Sequence, residues 1–458
     1  MIEPQNERDD VLYDEEFLRQ LLLDHEIQAF REHFLEIHPY DQAQFYEKVG
    51  PDIRKIMYHF LSPQEMAVIF REIEIEDDAY QNMLKEMDTS YGAAMLSEMY
   101  TDDAVDVLYE LDNKERESYL EMMDSETVEE INELLAYAEY TAGAIMTTEY
   151  VSILESSTVR SAMTVLRKEA PNAETIYYIF VVNDHHQLTG VISLRDLIIA
   201  DEDKRISEIM SDRVVSVQLT ADQEEVAQIM KDYNFLALPV INENSELQGI
   251  ITVDDIIDVI DEEASDDYSK LAGISDIEDI DTGPLKAAKN RLPWLIVLLF
   301  LGMLTANLMG QFEATLDQVA LLAVFIPLIS GTSGNSGTQA LAVAVRGIAT
   351  GEVSEKSKMK LLMRELVTGI IMGLVCAVIV VGIVYFWKHN LIIGLLVGGA
   401  ICCSILVATL AGSFIPLLMH KLGIDPAVAS GPFITTLNDV TSLLIYLGLA
   451  TMFLSEIM

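Results

Sequence analysis

Five long apolar runs follow one another in the C-terminal half of the chain. About 20 apolar residues are enough to cross a bilayer as a helix, so each run predicts a membrane-spanning helix. A basic loop between the second and third runs indicates the cytoplasmic side, which predicts a cytoplasmic N-terminal half and an external C-terminus. The runs cover residues 293–311, 319–345, 366–387, 391–419 and 428–454.

The N-terminal half has apolar residues at helical spacing in place of long apolar runs. Residues 1–138 have apolar positions at i, i+3, i+4 and i+7, as in EFLRQLLLDHEIQAFREHFLEIH. This spacing predicts amphipathic helices, and their regular acidic breaks predict an all-α superhelical N domain.

An internal repeat follows the helical part. FVVNDHHQLTGVISLRDLI at 180–198 matches LPVINENSELQGIITVDDII at 238–257. Each copy has an apolar strand, a polar turn and a Gly-led second strand that runs into a helix. The pattern predicts two α/β modules, at 139–202 and 203–260. A long acidic connecting helix is predicted at 253–283, and a membrane domain of five helices at 284–458.

Charge divides the chain in the same place. The chain has 29 Lys and Arg against 74 Asp and Glu, a net charge of −45, and residues 1–283 hold 19 basic and 66 acidic residues. Such a balance argues against nucleic acid or anionic lipid as partners of this half and favours cations.

The start, MIEPQNERDDVLYDEEF, has no apolar core behind a basic end, so no signal peptide is predicted.

Asp439 is the only carboxylate inside the five predicted spans, near the middle of the last one. An ionised group at bilayer depth is costly unless it meets a partner, water or an ion. A protonated Asp that hydrogen-bonds a neighbouring helix is the alternative. The second span contains ISGTSGNSGTQ at 329–339. Its hydroxyl and amide groups predict a hydrophilic path facing Asp439.

Eight acidic residues lie between Asp254 and Asp267 on the predicted connecting helix. A solvated face is the usual explanation of such a run. This run joins the acidic half to the first span, which favours a control element whose repulsion is changed by bound cations. The acids that share one helical face, with the last just beyond it, are Asp254, Asp258, Asp261, Glu262 and Asp266.

The sequence contains no Walker loop, no Ser/His/Asp set and no metal-ligand motif, so no catalytic residue and no ATP-driven pumping are predicted. All three cysteines fall in apolar spans and are predicted to pack there.

The paired repeat resembles the tandem CBS module, a regulatory α/β fold that often binds adenosine nucleotides. In that family an S/T-x-x-D element holds ribose. Here Ser193-Leu194-Arg195-Asp196 and Thr252-Val253-Asp254-Asp255 match it, and helix capping is the alternative explanation. ATP is the implied ligand, with the candidate residues Tyr177, Ser193, Arg195, Asp196, Phe235, Thr252 and Asp255.

The whole chain resembles the MgtE family of magnesium channels. The domain order matches, as do GTSGNSGTQ in the second span, Asp425-Pro426 before the fifth, and PFITTLNDVTSLLIYL around Asp439. The resemblance implies a homodimer in the plasma (inner) membrane whose pore lies on the two-fold axis. It also identifies the acidic connecting segment as a "plug" helix.

The resemblance further implies a Mg²⁺-selective channel that imports Mg²⁺ down its electrochemical gradient and closes when cytosolic Mg²⁺ binds the acidic half. Some family members have an amide where this chain has Thr338. The implied pore residues are Asp439, Asn335, Thr338, Gln339, Thr435 and Thr436. The implied regulatory Mg²⁺ ligands are Asp254, Asp258, Asp261, Glu262, Asp266, Asp232, Glu65, Asp102 and Asp103.

Two other functions remain open from the sequence. One is a broader divalent cation transporter for Co²⁺, Mn²⁺ or Ca²⁺, which a single pore carboxylate does not exclude. The other is a nucleotide-sensing regulator that the membrane part anchors.

Overall fold

The structure is a computed structural model that describes residues 14–73, 79–274, 283–353 and 357–454. The first 13 residues of the predicted N domain, residues 275–282 of the predicted connecting segment and the last four residues lie outside this part. The chain forms two compact units, Met1–Val259 and Ile260–Met458.

The first unit begins with a row of short helices whose apolar faces meet in one core. Phe30, Phe34 and Tyr46 are fully buried there. Ser62 and Glu65 cap the start of α5 reciprocally, which satisfies backbone N–H groups at that helix end. The helices are α1 Glu15–Leu23, α2 Ile27–Phe34, α3 Pro39–Lys48, α4 Pro51–Phe60, α5 Pro63–Arg71, α6 Ala79–Glu86, α7 Thr89–Leu96, α8 Thr101–Tyr109, α9 Asn113–Leu120 and α10 Ser125–Leu134.

The internal repeat folds as two similar α/β modules. In each, a first strand pairs parallel with a second, which pairs antiparallel with a third. The first module has β1 Tyr150–Leu154, α11 Val159–Glu169, β2 Thr175–Val182, β3 Leu188–Ser193 and α12 Leu194–Ile199. The second has β4 Val217–Gln218, α13 Gln223–Tyr233, β5 Ala237–Ile241 and β6 Leu247–Thr252, followed by α14 Val253–Ala272.

Each of the two modules packs a methionine against a glycine of the other module. A Cβ added at Gly249 would lie 2.8 Å from the Met146 sulfur, and one added at Gly190 would lie 2.5 Å from the Met210 sulfur. Each glycine therefore leaves room for the Ile-Met segment that precedes the other module. Ile145-Met146 and Ile209-Met210 therefore occupy equivalent positions in the two copies of the repeat.

The second unit contains the five helices that are long and apolar enough to cross a membrane, as predicted. Pro327 and Pro432 lie in the first turn of α17 and α20, where a missing N–H costs nothing, so they start these helices rather than interrupt them. The helices are α15 Pro284–Gly310, α16 Glu313–Gln318, α17 Ile326–Ala349, α18 Lys358–Lys388, α19 Leu391–Lys421 and α20 Gly431–Met452.

The connecting helix α14 is shorter than the predicted 253–283. It ends at Ala272 because Gly273 takes the left-handed conformation, with φ +77°, which ends helices. The helical N domain, the two α/β modules, the long connecting helix and the five apolar helices together confirm the predicted fold class.

Candidate functional site

The last membrane helix places Asp439 against α17. The Ser330 hydroxyl donates a hydrogen bond to the carboxylate of Asp439, which is half-buried. One turn further along α17, a Cβ added at Gly334 would lie 3.0 Å from Thr435 Cγ2. The hydroxyl oxygens of Thr338 and Thr435 are 3.3 Å apart. Small and hydroxyl side chains one turn apart therefore form the contact between two antiparallel helices.

Two predicted pore residues lie beside this contact rather than in it. Asn335 and Gln339 are one turn apart on α17, and both are exposed. An amide on a membrane helix loses its hydrogen bonds with water if it faces lipid. This face therefore suits a wet path or another chain better than lipid. The hydroxyl of Thr436 donates to its own helix, at 2.9 Å from Pro432 O.

Ser330 is a contact of Asp439 that the sequence analysis missed. It lies 109 residues away in the chain. The available signal was the spacing of Ser330, Gly334 and Thr338, which are each four residues apart and so share one helical face.

Six carboxylates of the first unit form a second candidate site. Three of them, Glu174, Asp254 and Asp255, each place an oxygen within 4.8 Å of the others. The Thr252 hydroxyl lies 3.1 Å from Glu174 Oε1 and 2.6 Å from Asp255 Oδ2. We use the name acidic cluster for the six residues Asp102, Asp103, Glu149, Glu174, Asp254 and Asp255.

Helix α8 contributes the other side of the acidic cluster. Glu149 accepts hydrogen bonds from the Thr101 N–H at 3.2 Å and the Thr101 hydroxyl at 2.7 Å. The next residue, Asp102, is only 8% exposed, and its Oδ1 has no hydrogen-bond partner among the described residues. Arg71 Nε lies 3.4 Å from Asp103 Oδ2.

Burial, with repulsion from neighbouring acids, raises the pKa values of Asp102, Asp103, Glu174 and Asp255. Burial, with the neighbouring Asp255 and Asp254 charges, raises the pKa of Glu174 to about 8. Burial raises the pKa of Asp103 to about 7, although Arg71 opposes the shift. Burial and the Asp103 charge raise the pKa of Asp102 well above its usual range. The fully ionised cluster is therefore short of positive charge, which a divalent cation would supply.

Glu149 and Glu174 were not predicted as members of this site, and Asp255 was predicted only as a nucleotide contact. Glu149 directly precedes β1 and Glu174 directly precedes β2. Because β1 and β2 are parallel neighbours, acids just before each strand reach the same edge of the sheet. That pattern was the available signal.

Two predicted regulatory acids lie elsewhere. Glu65 forms a bidentate pair with Arg31, at 2.6 and 2.7 Å. Burial acts against it, but hydrogen bonds from Arg31 and Ser62 lower the pKa of Glu65. Asp232 is exposed on α13 and accepts a 2.8 Å hydrogen bond from Gln228.

The remaining predicted acids follow α14. Asp258, Asp261 and Glu262 are exposed. Asp266 pairs with Lys270, whose ammonium also lies 2.6 Å from Asp425 Oδ2, just before α20.

The same end of α14 packs against α20. A Cβ added at Gly431 would lie 3.2 Å from the Leu271 carbonyl oxygen. Burial, then the charge of Asp425, raises the pKa of Asp267 to about 6. Lys270 therefore holds two acids of different segments together within the second unit.

The predicted nucleotide residues divide between two environments. Ser193 caps α12, and its hydroxyl is 2.7 Å from Asp196 Oδ2. Arg195 and Tyr177 are exposed, Tyr177 at 65%. Phe235 stacks on a neighbouring tyrosine at 5.2 Å. The second S/T-x-x-D element, by contrast, belongs to the acidic cluster.

Comparison with known proteins decides the family. A model of the MgtE divalent cation transporter matches residues 326–449, the MgtE intracellular N domain matches 37–140, and CBS domains match 142–203 and 206–262. The magnesium transporter MgtE of Enterococcus faecalis is 51% identical over 437 residues, covering 95% of this chain and 96% of the relative. The chain belongs to the MgtE family of magnesium transporters.

Other magnesium transporters are also similar to this chain. The magnesium transporter MgtE of Bacillus subtilis is 38% identical over 447 residues, covering 97% of this chain and 99% of the relative. The soluble part of a magnesium transporter, a crystal structure, is 50% identical with a TM-score of 0.54 and covers 56% of this chain and 100% of that one. A cytosolic domain of the Mg²⁺ channel MgtE in complex with ATP is 37% identical, with a TM-score of 0.51, and covers 54% and 100%.

This MgtE family member is therefore a multi-pass membrane protein with cytosolic N-terminal domains, and it is a transporter rather than an enzyme. These findings confirm the predicted family and the predicted absence of an enzymatic role.

Proposed function

We propose that the chain is a Mg²⁺-selective channel that imports Mg²⁺ down its electrochemical gradient. The observation that carries the proposal is the position of Asp439. Its carboxylate lies in the middle of an apolar helix, held by the Ser330 hydroxyl and flanked by the exposed amides Asn335 and Gln339. Polar groups of this kind at membrane depth mark ion pathways.

The chemistry of the site suits a hydrated ion. Mg²⁺ gives up water reluctantly and is usually bound by one or two carboxylates together with retained waters. In a homodimer with its pore on the two-fold axis, two Asp439 carboxylates would face each other across the path. Asn335, Gln339, Thr338, Thr435 and Thr436 would then supply oxygens at the distance of a water shell.

We further propose that the acidic cluster binds regulatory Mg²⁺. The fit rests on the oxygens of Asp102 and Glu174 that lack hydrogen-bond partners within the described residues. It rests also on the three carboxylates that converge within 4.8 Å. A bound cation would relieve the repulsion among these carboxylates, and would join α8 to the first turn of α14.

Helix α14 connects this regulation to the pore domain. Its first turn carries Asp254 and Asp255, and its last turns carry Asp266 and Lys270. We propose that cations on Asp254, Asp258, Asp261 and Glu262 stabilise the closed channel. Loss of those cations restores repulsion along the helix. Each site is of loose geometry, so we expect affinities of about millimolar, as for weak cation modules.

ATP is proposed as a ligand of the CBS modules. Asp196 and Ser193 form a half-buried hydroxyl–carboxylate pair suited to ribose, and the exposed Tyr177 ring offers a stacking surface for adenine. A related cytosolic domain was crystallised with ATP. In this chain the Thr252–Asp255 element serves the acidic cluster, so we expect ribose binding at Ser193 and Asp196.

Flux measurements test the function. The full chain in liposomes is assayed for uptake of Mg²⁺, Ca²⁺, Mn²⁺ and Co²⁺, with and without ATP on the cytosolic side. We expect Mg²⁺ uptake that decreases when cytosolic Mg²⁺ is raised. Equal flux of all four ions would favour the broader divalent transporter, and absence of flux would favour a membrane-anchored nucleotide sensor.

A further inference from the structure

A cavity lies between α17, α18 and α19; Gln339 lines it, but Asp439 and Ser330 do not. Its volume is about 670 Å³. It spans α17 from Ser336 to Gly347, about 16 Å along the helix axis at 1.5 Å per residue. With cytosolic N-terminal domains and five crossings, the loop between α17 and α18 is cytoplasmic. The cavity therefore sits at the inner face of the membrane.

Two guanidinium groups line the cytoplasmic end of this cavity. Arg364 Nη2 lies 3.0 Å from Glu365 Oε1, and the Glu365 side chain is only 8% exposed. Arg346 Nη2 lies 3.9 Å from Glu352 Oε1, and both of these side chains are mainly exposed. A guanidinium has five N–H donors, more than one carboxylate oxygen can accept, so both arginines keep donors for a further anion. Glu352 and Glu365 line the same end, and each is paired with one of these arginines.

The inner part of the cavity is amphipathic. The Ser336 hydroxyl is buried and lacks a hydrogen-bond partner within the part of the chain that the structure describes. Ala340, Val343 and Met372 provide apolar lining beside it. A free inorganic anion would use the arginines but neither the unpaired hydroxyl nor the apolar wall. A lipid would use all three.

We propose that this cavity binds an anionic glycerophospholipid of the cytoplasmic leaflet with a hydroxylated head group. The phosphate diester accepts hydrogen bonds from Arg346 and Arg364. The head-group hydroxyls donate hydrogen bonds to Glu365. Deeper in the cavity, a glycerol ester carbonyl accepts a hydrogen bond from the Ser336 hydroxyl, and part of an acyl chain lies against Val343. Residues 346–365 hold five basic and three acidic residues, a net charge of +2, which favours anionic over zwitterionic lipid at this face of the membrane.

Native mass spectrometry tests this site. The detergent-purified full chain is equilibrated in turn with phosphatidylglycerol, phosphatidylethanolamine and phosphatidylcholine. We expect one retained phosphatidylglycerol per chain. The double variant Arg346→Gln/Arg364→Gln should retain about tenfold less, since charge-assisted hydrogen bonds to the phosphate are lost. Ala342→Trp keeps both arginines but fills the mouth of the cavity, and should also lose the lipid.

The matched control is Lys360→Gln. It removes one positive charge from the exposed cytoplasmic end of α18 without lining the cavity, and it should retain the lipid. Equal retention of phosphatidylcholine, or unchanged binding in both cavity variants, would overturn the proposal. Displacement of phosphatidylglycerol by millimolar inorganic phosphate would overturn it in favour of a free-anion site. Thermal unfolding of every variant checks that it is folded.

Discussion

The proposed pore site and the acidic cluster use the same functional group in opposite ways. Asp439 is one carboxylate, supported by a hydroxyl and bordered by amides in a domain nearly free of acid. The acidic cluster packs six carboxylates together, and burial, with repulsion from neighbouring acids, raises the pKa values of Glu174 and Asp103. A single ionised group suits an ion that passes through. A crowded group is costly without a cation, so its shape depends on cation concentration.

The largest expected effect is at Asp439. Asp439→Ala should abolish Mg²⁺ uptake by proteoliposomes, because the only carboxylate within the five predicted spans is lost. Asp439→Asn should at least weaken conduction or selectivity. Thr441→Val is the matched control on the same helix, because the Thr441 hydroxyl bonds its own helix at Leu437 O, 2.8 Å away. Wild-type flux in the Ala variant would contradict the assignment of Asp439 to the pore.

Neutralising the exposed face of α14 should have the next largest effect. Asp258→Asn, Asp261→Asn, Glu262→Gln and Asp266→Asn together should raise the cytosolic Mg²⁺ for half-inhibition by about tenfold or more, equivalent to ~1.4 kcal/mol of lost closed-state preference. Patch recordings measure this shift. The control neutralises four exposed acids of the N domain, Glu117, Glu121, Glu126 and Glu129. An unchanged inhibition curve in the α14 variant would count against gating by this helix.

The acidic cluster predicts an unusual pH dependence without Mg²⁺. Glu174 and Asp103 have folded-state pKa values near 8 and 7, above those of unfolded carboxyls. The folded form therefore holds more protons, and stability falls as pH rises through these values. Calorimetry of the full chain in EDTA should show a lower melting temperature of the soluble part at about pH 8.5 than at pH 6. The corresponding loss in the free energy of unfolding should be ~1 kcal/mol or more.

Millimolar Mg²⁺ should abolish that pH dependence, because the cation takes the place of the protons. Asp102→Asn combined with Glu174→Gln should reduce it, because the raised pKa of Glu174 is lost while that of Asp103 stays, and should weaken stabilisation by Mg²⁺. Glu129→Gln, an exposed acid outside the cluster, should leave both properties unchanged. If stability in EDTA does not change with pH, the raised pKa values of the acidic cluster are contradicted.

The smallest expected effect is at Lys270, which joins Asp266 to Asp425. This ammonium acts as a cation built into the chain, so part of the link between α14 and α20 needs no Mg²⁺. Its partners are about one-third exposed, so Lys270→Gln should cost only ~0.5–1 kcal/mol and raise the half-inhibiting Mg²⁺ a few-fold. Lys270→Arg should restore wild-type recordings. A lower half-inhibiting concentration in the Gln variant would contradict a closing role.

The sequence was sufficient for the spans, the repeated modules and the family, because these depend on periodicity and motif order. It was insufficient for contacts made at long range. Thr101 reaches Glu149 across 48 residues and Ser330 reaches Asp439 across 109. Helical period predicts which face a side chain occupies but not which helix covers that face. The end of α14 was missed because Gly273 lies inside an otherwise polar, helix-compatible segment.

Gly337 has a mechanical consequence for the channel. A Cβ at Gly412 would lie 2.2 Å from Gly337 O, and a Cβ at Gly337 would lie 2.0 Å from Asn438 Nδ2. Helices α17, α19 and α20 are thus interlocked at one level, one residue before Asp439. Sliding any of them past the others would drive side chains into backbone. In the proposed homodimer we therefore expect these three helices of each chain to move as one rigid body, so that the width of the path changes while the height of its carboxylate stays fixed.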